Sequence, residues 1–428
     1  MSMTAVVLFG LFFLLLFLNM PIAVALGLST AATLLIFDLP IQSLPSTMFS
    51  SLTKFTLLAI PFFFLAGLIL EKAGISRRLI HLAQTLTGHY TGGLAIVSVV
   101  AATFFAAISG SGPATMAAVG SIIIPAMVKA GYRSDMSGGL LATAGGIGII
   151  LPPSIAYIVY GVIAEVSIGE LFIAGIIPGL LMALALIITS YFIAKKEKIP
   201  TIPKASNKEI WAAFKDAIWG LLAPIIILGG IYTGIFTPTE SAVVAVFYGL
   251  FVGIFIYKEI QIKKLPAILL ESAKTTSMIM LIIASASTFA WLITVEGIAT
   301  DVAEALMSVA DNKFTMLLII TIILLIAGMF VDAISAFYIF LPIFLPITMA
   351  MGIDPVHFGI LMTLNLAIGL VTPPVGLDLF VASGLTGLSL KQISIGVIPF
   401  VLVAIVVLLL VTYIPAISLW LPELLNMR

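Results

Sequence analysis

Few residues in this 428-residue chain can do chemistry. It has no cysteine, which removes disulfides, thiolate metal ligands and thiol nucleophiles. The histidines, His81, His89 and His357, are scattered without metal-ligand spacing. No GxxxxGK[ST], HExxH or GxSxG sequence occurs, so ATP hydrolysis, zinc proteolysis and elbow-type serine hydrolysis have no basis. What stands out is oxygen chemistry in apolar surroundings. Ser109-Gly110-Ser111-Gly112-Pro113-Ala114-Thr115 sets hydroxyls among residues that cannot continue a helix. Gly145-Gly146-Ile147-Gly148 leads to Pro152-Pro153-Ser154, and Gly369 leads to Thr372-Pro373-Pro374. Consecutive prolines remove two backbone donors and bias the preceding residue away from helix, so carbonyls lose their partners. Such carbonyls with Ser and Thr hydroxyls form a hard-oxygen cage suited to Na⁺. Helix N-termini facing the same cavity attract a carboxylate.

Two acidic residues call for a decision. Asp332, in Phe330-Val331-Asp332-Ala333-Ile334-Ser335, is an ionisable group expected at membrane depth, where function is the default reading. Its bland alternative is a structural partner for a helix N-terminus. Glu240, in Thr237-Pro238-Thr239-Glu240-Ser241, is read foremost as a helix cap. An intramembrane protease would need Ser/His or paired Asp. No histidine is expected at that depth, and no second aspartate is read in the neighbouring breaks.

The elements that hold these residues are membrane helices. Apolar residues make up 62% of the chain and charged ones 9%, against roughly 25% charged in a soluble domain. Apolar runs such as 6–20, 317–330 and 398–411 recur between polar breaks. At roughly 20 residues per crossing there is room for ten or more crossings. Zero net charge suggests no nucleic-acid partner. The apolar N-terminus lacks a basic n-region and is read as a membrane segment, not a signal peptide.

Two stretches match without a gap at an offset of 221 residues: Pro125 against Pro346, Gly131 against Gly352, Gly148 against Gly369, and both Pro-Pro pairs. The same offset sets Ser111 against Asp332. The chain therefore reads as two repeats, 1–194 and 217–428, joined by a polar linker at 195–216. Each contains a segment interrupted by proline (4–37 and 218–256), a re-entrant helical hairpin (92–128 and 314–350) and a broken helix (137–164 and 357–386). Lys and Arg mark cytoplasmic loops. Lys195, Lys196, Lys198, Lys204, Lys208 and Lys215 place the linker inside, and both termini then fall in the periplasm. Glu296, Asp301, Glu304 and Asp311 collect outside. The second repeat inverts the first, an arrangement characteristic of secondary transporters. The expected fold is an all-α, polytopic helical bundle with two inverted-topology repeats.

The SGSGPAT tip, the two Pro-Pro breaks, the Thr-Pro-Thr-Glu sequence and the Gly-Met-Phe-Val-Asp stretch resemble the large membrane subunit of tripartite ATP-independent periplasmic (TRAP) transporters. The resemblance covers essentially the whole chain. It implies an ion-transporter-superfamily fold with a scaffold and a moving transport domain in the bacterial inner membrane. It implies three partners: a small four-helix membrane subunit, a periplasmic solute-binding protein and a small organic anion. A Na⁺ gradient, with two or more ions, would drive import. Sialic acid is the first expectation for the solute and a C4-dicarboxylate the next. Carried residue by residue, one Na⁺ site would involve Ser109, Gly112, Gly145 and Gly148. A second would involve Ala333, Thr372 and Pro374, and the substrate would touch Ser111, Ser154 and Asp332. The alternative is a stand-alone ion-coupled anion permease that needs no binding protein.

Overall fold

The computed structural model describes residues 2–201, 203–310, 312–425 and 427. Asp311, assigned above to the acidic outer loop, lies outside the described residues, as do Met1 and Arg428. Every regular element among the described residues is helical. Eight helices are long and apolar enough to cross a membrane, nine if the bent pair Ser134–Ile150 and Ile155–Ala164 is one span. Much apolar sequence is spent on shorter helices, such as Gly93–Ser109 and Lys313–Gly328. At about 1.5 Å per residue these fall short of a roughly 30 Å hydrocarbon core. Large apolar side chains cover the outside: Phe17, Phe247 and Met278 are 82%, 68% and 68% exposed, which suits lipid and not water.

Helix boundaries follow local chemistry. Pro21 separates Met3–Phe17 from Ile22–Ile36. Pro238 opens Pro238–Phe251 behind a capping box in which Glu240 accepts from the Thr237 amide (2.8 Å) and hydroxyl (2.9 Å). The cap reading of Glu240 is therefore the observed one. The linker is shorter than expected. Helix Ile168–Lys196 runs into it and Asn207–Tyr232 starts within it, held by a second capping box of Ser206 and Glu209. His81 lies in Ile75–Thr87, an amphipathic helix. His357 is buried with its Nδ1 2.7 Å from the Ser418 hydroxyl, on a short terminal helix, Ala416–Leu424, that the sequence reading did not separate.

Helix Gly112–Lys129 in the first half and Ala333–Ala350 in the second begin and end at the same offset as the sequence match. The contacts between halves are reciprocal. Ile22–Ile36 packs on Leu265–Val295, and Pro238–Phe251 packs on Ala59–Lys72. Ser134–Ile150 packs on Leu390–Tyr413, and Pro355–Gly369 packs on Ile168–Lys196. Each half completes the other. The most buried backbone is where the two broken helices cross, with every residue of 137–150 and 356–369 enclosed. Glycine makes the crossing possible: a Cβ on Gly146 would lie 3.3 Å from the Ala367 carbonyl oxygen.

Candidate functional site: a central cavity at two hairpin tips

A cavity of about 530 Å³ lies where the hairpin tips meet. Ser109, Ser111 and Pro113 line it from the first tip, and Asp332, Ala333 and Ile334 from the second. The long helices Ala59–Lys72 and Leu265–Val295 close it laterally through Phe64, Gly67, Thr275 and Ile279. Glu71 and Glu271 stand in its wall, and Glu271 also pairs with Lys72 at 3.6 Å.

The helix ends explain what the cavity can bind. Gly112–Lys129, Ala333–Ala350, Ile155–Ala164 and Leu377–Thr386 all start at its wall. Each N-terminus presents unpaired N–H groups and roughly half a positive charge. Helices Gly93–Ser109, Ser134–Ile150 and Pro355–Gly369 end beside it and present carbonyls. Among the described wall residues there is no Lys, Arg or His. An anion held here must be met by backbone N–H groups and by bound cations. The second tip is already satisfied. Asp332 accepts from the amides of Ile334 (3.1 Å) and Ser335 (3.2 Å) and from the Ser335 hydroxyl. The helices behind Ser111, Ser154 and Gly376 have no side-chain cap, although the Ile155 and Asp378 amides are taken by the Gly110 and Leu370 carbonyls.

The first set of proposed ion residues comes together. Gly110 turns the tip at φ +61°, and the Ile155 amide donates to its carbonyl at 3.4 Å, tying break to tip. The Ser109 hydroxyl lies 2.6 Å from the Thr115 hydroxyl and donates to the Ser111 carbonyl at 3.3 Å. Gly145 and Gly148 press against this tip. A Cβ on Gly148 would lie 2.6 Å from both the Ser111 carbonyl and the Thr115 hydroxyl, and one on Gly145 would lie 3.1 Å from the Gly112 carbonyl. Oxygens thus crowd the bare glycine face, a donor set that fits a hard monovalent cation.

The second set is looser. Ala333 lines the cavity, but Thr372 and Pro374 do not. The Thr372 hydroxyl donates to the Ile368 carbonyl at 2.6 Å. Carbonyls of Leu370 and Thr372 converge on Gly376, 2.9 and 3.1 Å from where its Cβ would stand. The Gly376 amide donates to Met329 at 3.1 Å, so this break too is tied to its own tip. Of the three proposed substrate contacts, Ser111 and Asp332 share the cavity wall. Ser154 does not: it is fully buried and its hydroxyl donates to the Ile149 carbonyl at 2.6 Å.

One residue of the site was missed. A second aspartate does stand by the breaks: Asp378, in the first turn of Leu377–Thr386, is fully buried beside Gly112. The sequence signal was there, a lone acid four residues beyond a Pro-Pro pair in an apolar run. It was hidden because the offset of 221 sets it against Tyr157.

Broken helices and paired hairpin tips around a central cavity are the architecture of a membrane transporter of the secondary type. Comparison with known proteins agrees. Residues 9–417 match the family described as the tripartite ATP-independent periplasmic transporter, DctM component. The chain is 48% identical over 404 residues to the C4-dicarboxylate TRAP transporter large permease protein of Pseudomonas aeruginosa, covering 94% of this chain and 95% of that one. It is 45% identical over 416 residues to the isethionate TRAP transporter permease protein DctMQ of Oleidesulfovibrio alaskensis, covering 97% of this chain and 66% of that one. It is 39% identical over 411 residues to the sialic acid TRAP transporter large permease protein of Vibrio cholerae, covering 96% of each. The chain belongs to the DctM family: it is the large permease subunit of a TRAP transporter, and not an enzyme. The family implies a small membrane subunit and a periplasmic binding protein, and the fused relative carries the small subunit in the same chain.

Proposed function

We propose that this chain imports an organic anion across the bacterial inner membrane by coupling its movement to Na⁺, with the anion delivered by a periplasmic binding protein. The observation that carries the reading is the cavity between the tips, with helix N-termini, clustered oxygens and no basic side chain among its described wall residues. An anion in that setting needs a cation beside it, which makes co-binding of Na⁺ the physical basis of coupling. Ser109, Gly112, Gly145 and Gly148 hold one ion, and Ala333, Thr372 and Pro374 hold another. Ser111 and Asp332 contact the solute directly. Ser154 shapes the first break by bonding Ile149.

A C4-dicarboxylate now takes precedence over sialic acid. The support is the greater identity to the relative named for C4-dicarboxylates, 48% against 39%. Linker 195–216 is cytoplasmic and both termini are periplasmic. On that topology Glu71 and Glu271 lie toward the cytoplasmic side of the cavity. Hairpins and broken helices move as one body against a scaffold built on 4–37 and 218–256.

Reconstitution tests the tripartite part. Proteoliposomes with the large and small membrane subunits should take up succinate only when the binding protein is added. Equal uptake of free succinate by this chain alone would make it a stand-alone permease and overturn the reading.

A further inference from the structure

We propose that Asp378, supplied by the second half of the chain, is the anionic ligand of the cation site at the first hairpin tip. The inference rests on the Na⁺-coupled reading above and adds the group that supplies the charge.

Asp378 is 0% exposed, and neither carboxylate oxygen has a hydrogen-bond partner among the described residues. Its own amide is used elsewhere, donating to the Leu370 carbonyl at 3.0 Å. A carboxylate left alone in a low-dielectric interior is strongly penalised unless a cation meets it. No basic side chain among the described residues bonds to it. What surrounds it is oxygen. Measured from the position a Cβ on Gly112 would take, Asp378 Oδ2 lies at 3.2 Å, the Gly145 carbonyl at 3.5 Å and Asp378 Oδ1 at 3.7 Å. Three oxygens therefore face the same bare side of Gly112. Any side chain there would stand between them. Gly112 and Gly145 already belong to the tip cluster that includes the Ser109 and Thr115 hydroxyls.

The packing shows how a second-half residue reaches a first-half tip. Helix Leu377–Thr386 lies against Gly112–Lys129 and Ser134–Ile150. Gly120 meets Leu385, and Gly138 meets Thr386 and Ala382. The same helix starts at the cavity wall with Leu377. One carboxylate among neutral oxygens balances one monovalent charge. A divalent ion would leave an excess positive charge buried, so the site suits Na⁺. Binding an ion here joins the two halves around the first tip.

A helix cap is the structural alternative, and it makes the opposite prediction. A capping carboxylate would accept from first-turn amides, whereas Asp378 accepts from none. Replacing an uncompensated buried charge by the isosteric amide should then preserve or raise stability without Na⁺, whereas a cap, which asparagine also provides, would leave the Na⁺ response of the variant unchanged.

The test uses the full-length chain purified with its small membrane subunit. Unfolding is followed by tryptophan fluorescence while NaCl replaces choline chloride at constant ionic strength. Na⁺ should raise the unfolding midpoint of the wild type with saturation. In Asp378→Asn the half-saturating Na⁺ concentration should rise at least tenfold, with an unchanged or higher midpoint in choline. A second measurement uses the wild type and does not depend on the variant folding. Dicyclohexylcarbodiimide should modify Asp378 in Na⁺-free buffer, read by mass spectrometry, and Na⁺ should protect it with the same half-saturation. If Asp378→Asn keeps the wild-type Na⁺ response, or if Na⁺ gives no protection, Asp378 is not the ligand although Na⁺ coupling stands. If the wild type shows no Na⁺ response of either kind, the Na⁺ reading itself fails and this assignment with it.

Discussion

Replacing Asp332 by asparagine separates its two roles. The carboxylate caps helix Ala333–Ala350 through the Ile334 and Ser335 amides at 3.1 and 3.2 Å, and it also lines the cavity. Asparagine keeps one oxygen for the backbone donors and caps about as well as aspartate, so the protein should fold. What it removes is the negative charge at the cavity wall. Loss of a buried charged contact costs about 2–5 kcal/mol of binding, which is roughly thirtyfold to several thousandfold in affinity. Asp332→Ala removes the cap as well and should cost a further 0.5–2 kcal/mol or so of stability. Ser111→Ala removes a neutral hydroxyl, about 0.5–1.5 kcal/mol, and should weaken uptake only a few-fold. Uptake of labelled succinate at several Na⁺ and solute concentrations, with unfolding midpoints on the same preparations, reads both quantities. Charge loss felt through a bound Na⁺ shifts the Na⁺ dependence, and charge loss felt by the solute shifts only the solute dependence. Wild-type uptake in Asp332→Asn, with loss confined to Asp332→Ala, would refute the reasoning and leave Asp332 as a cap alone.

Three further outcomes follow from the same geometry. Gly148→Ala places a Cβ 2.6 Å from the Ser111 carbonyl and the Thr115 hydroxyl. Overpacking of that kind costs about 1–3 kcal/mol, so the Na⁺ concentration for half-maximal uptake should rise about tenfold, and an unchanged value would remove Gly148 from the ion site. Lys54 donates to the Val162 carbonyl at 3.2 Å, bridging the start of Phe55–Leu58 and the first broken helix. Cysteines at 54 and 162 joined by a short bifunctional thiol reagent should block transport, and full activity in quantitatively cross-linked protein would exclude movement between those parts. Cysteines at Asn207 and Glu304 should differ in intact spheroplasts, with an impermeant maleimide labelling only Glu304→Cys. Labelling only at Asn207→Cys would invert the topology.

The breaks were legible because glycine and proline act locally. Ser109-Gly110-Ser111-Gly112-Pro113 stops one helix and starts the next, and it does so in the structure at Ser109 and Gly112. Pro152-Pro153 and Pro373-Pro374 work the same way, leaving 151–154 and 370–376 outside the helices. What the sequence could not place was contact between halves. Asp378 serves the first tip because Leu377–Thr386 crosses over to it, and no local signal records that crossing. The family resemblance gives Ser154 a substrate contact. It is one turn of chain from the Ile149 carbonyl, and that nearer acceptor takes its hydroxyl. The cavity's side walls were unread as well, since Phe64 and Ile279 belong to uniformly apolar runs without periodic marking.

Coupling to Na⁺ is tested most directly in proteoliposomes that contain both membrane subunits and are supplied with succinate-loaded binding protein outside. With equal succinate on both sides, an inward Na⁺ gradient should drive accumulation above equilibrium. Dissipating that gradient with a Na⁺ ionophore should return the solute to equality, while collapsing a proton gradient should leave accumulation in place. Accumulation that persists without a Na⁺ gradient, or that follows protons instead, would contradict the account.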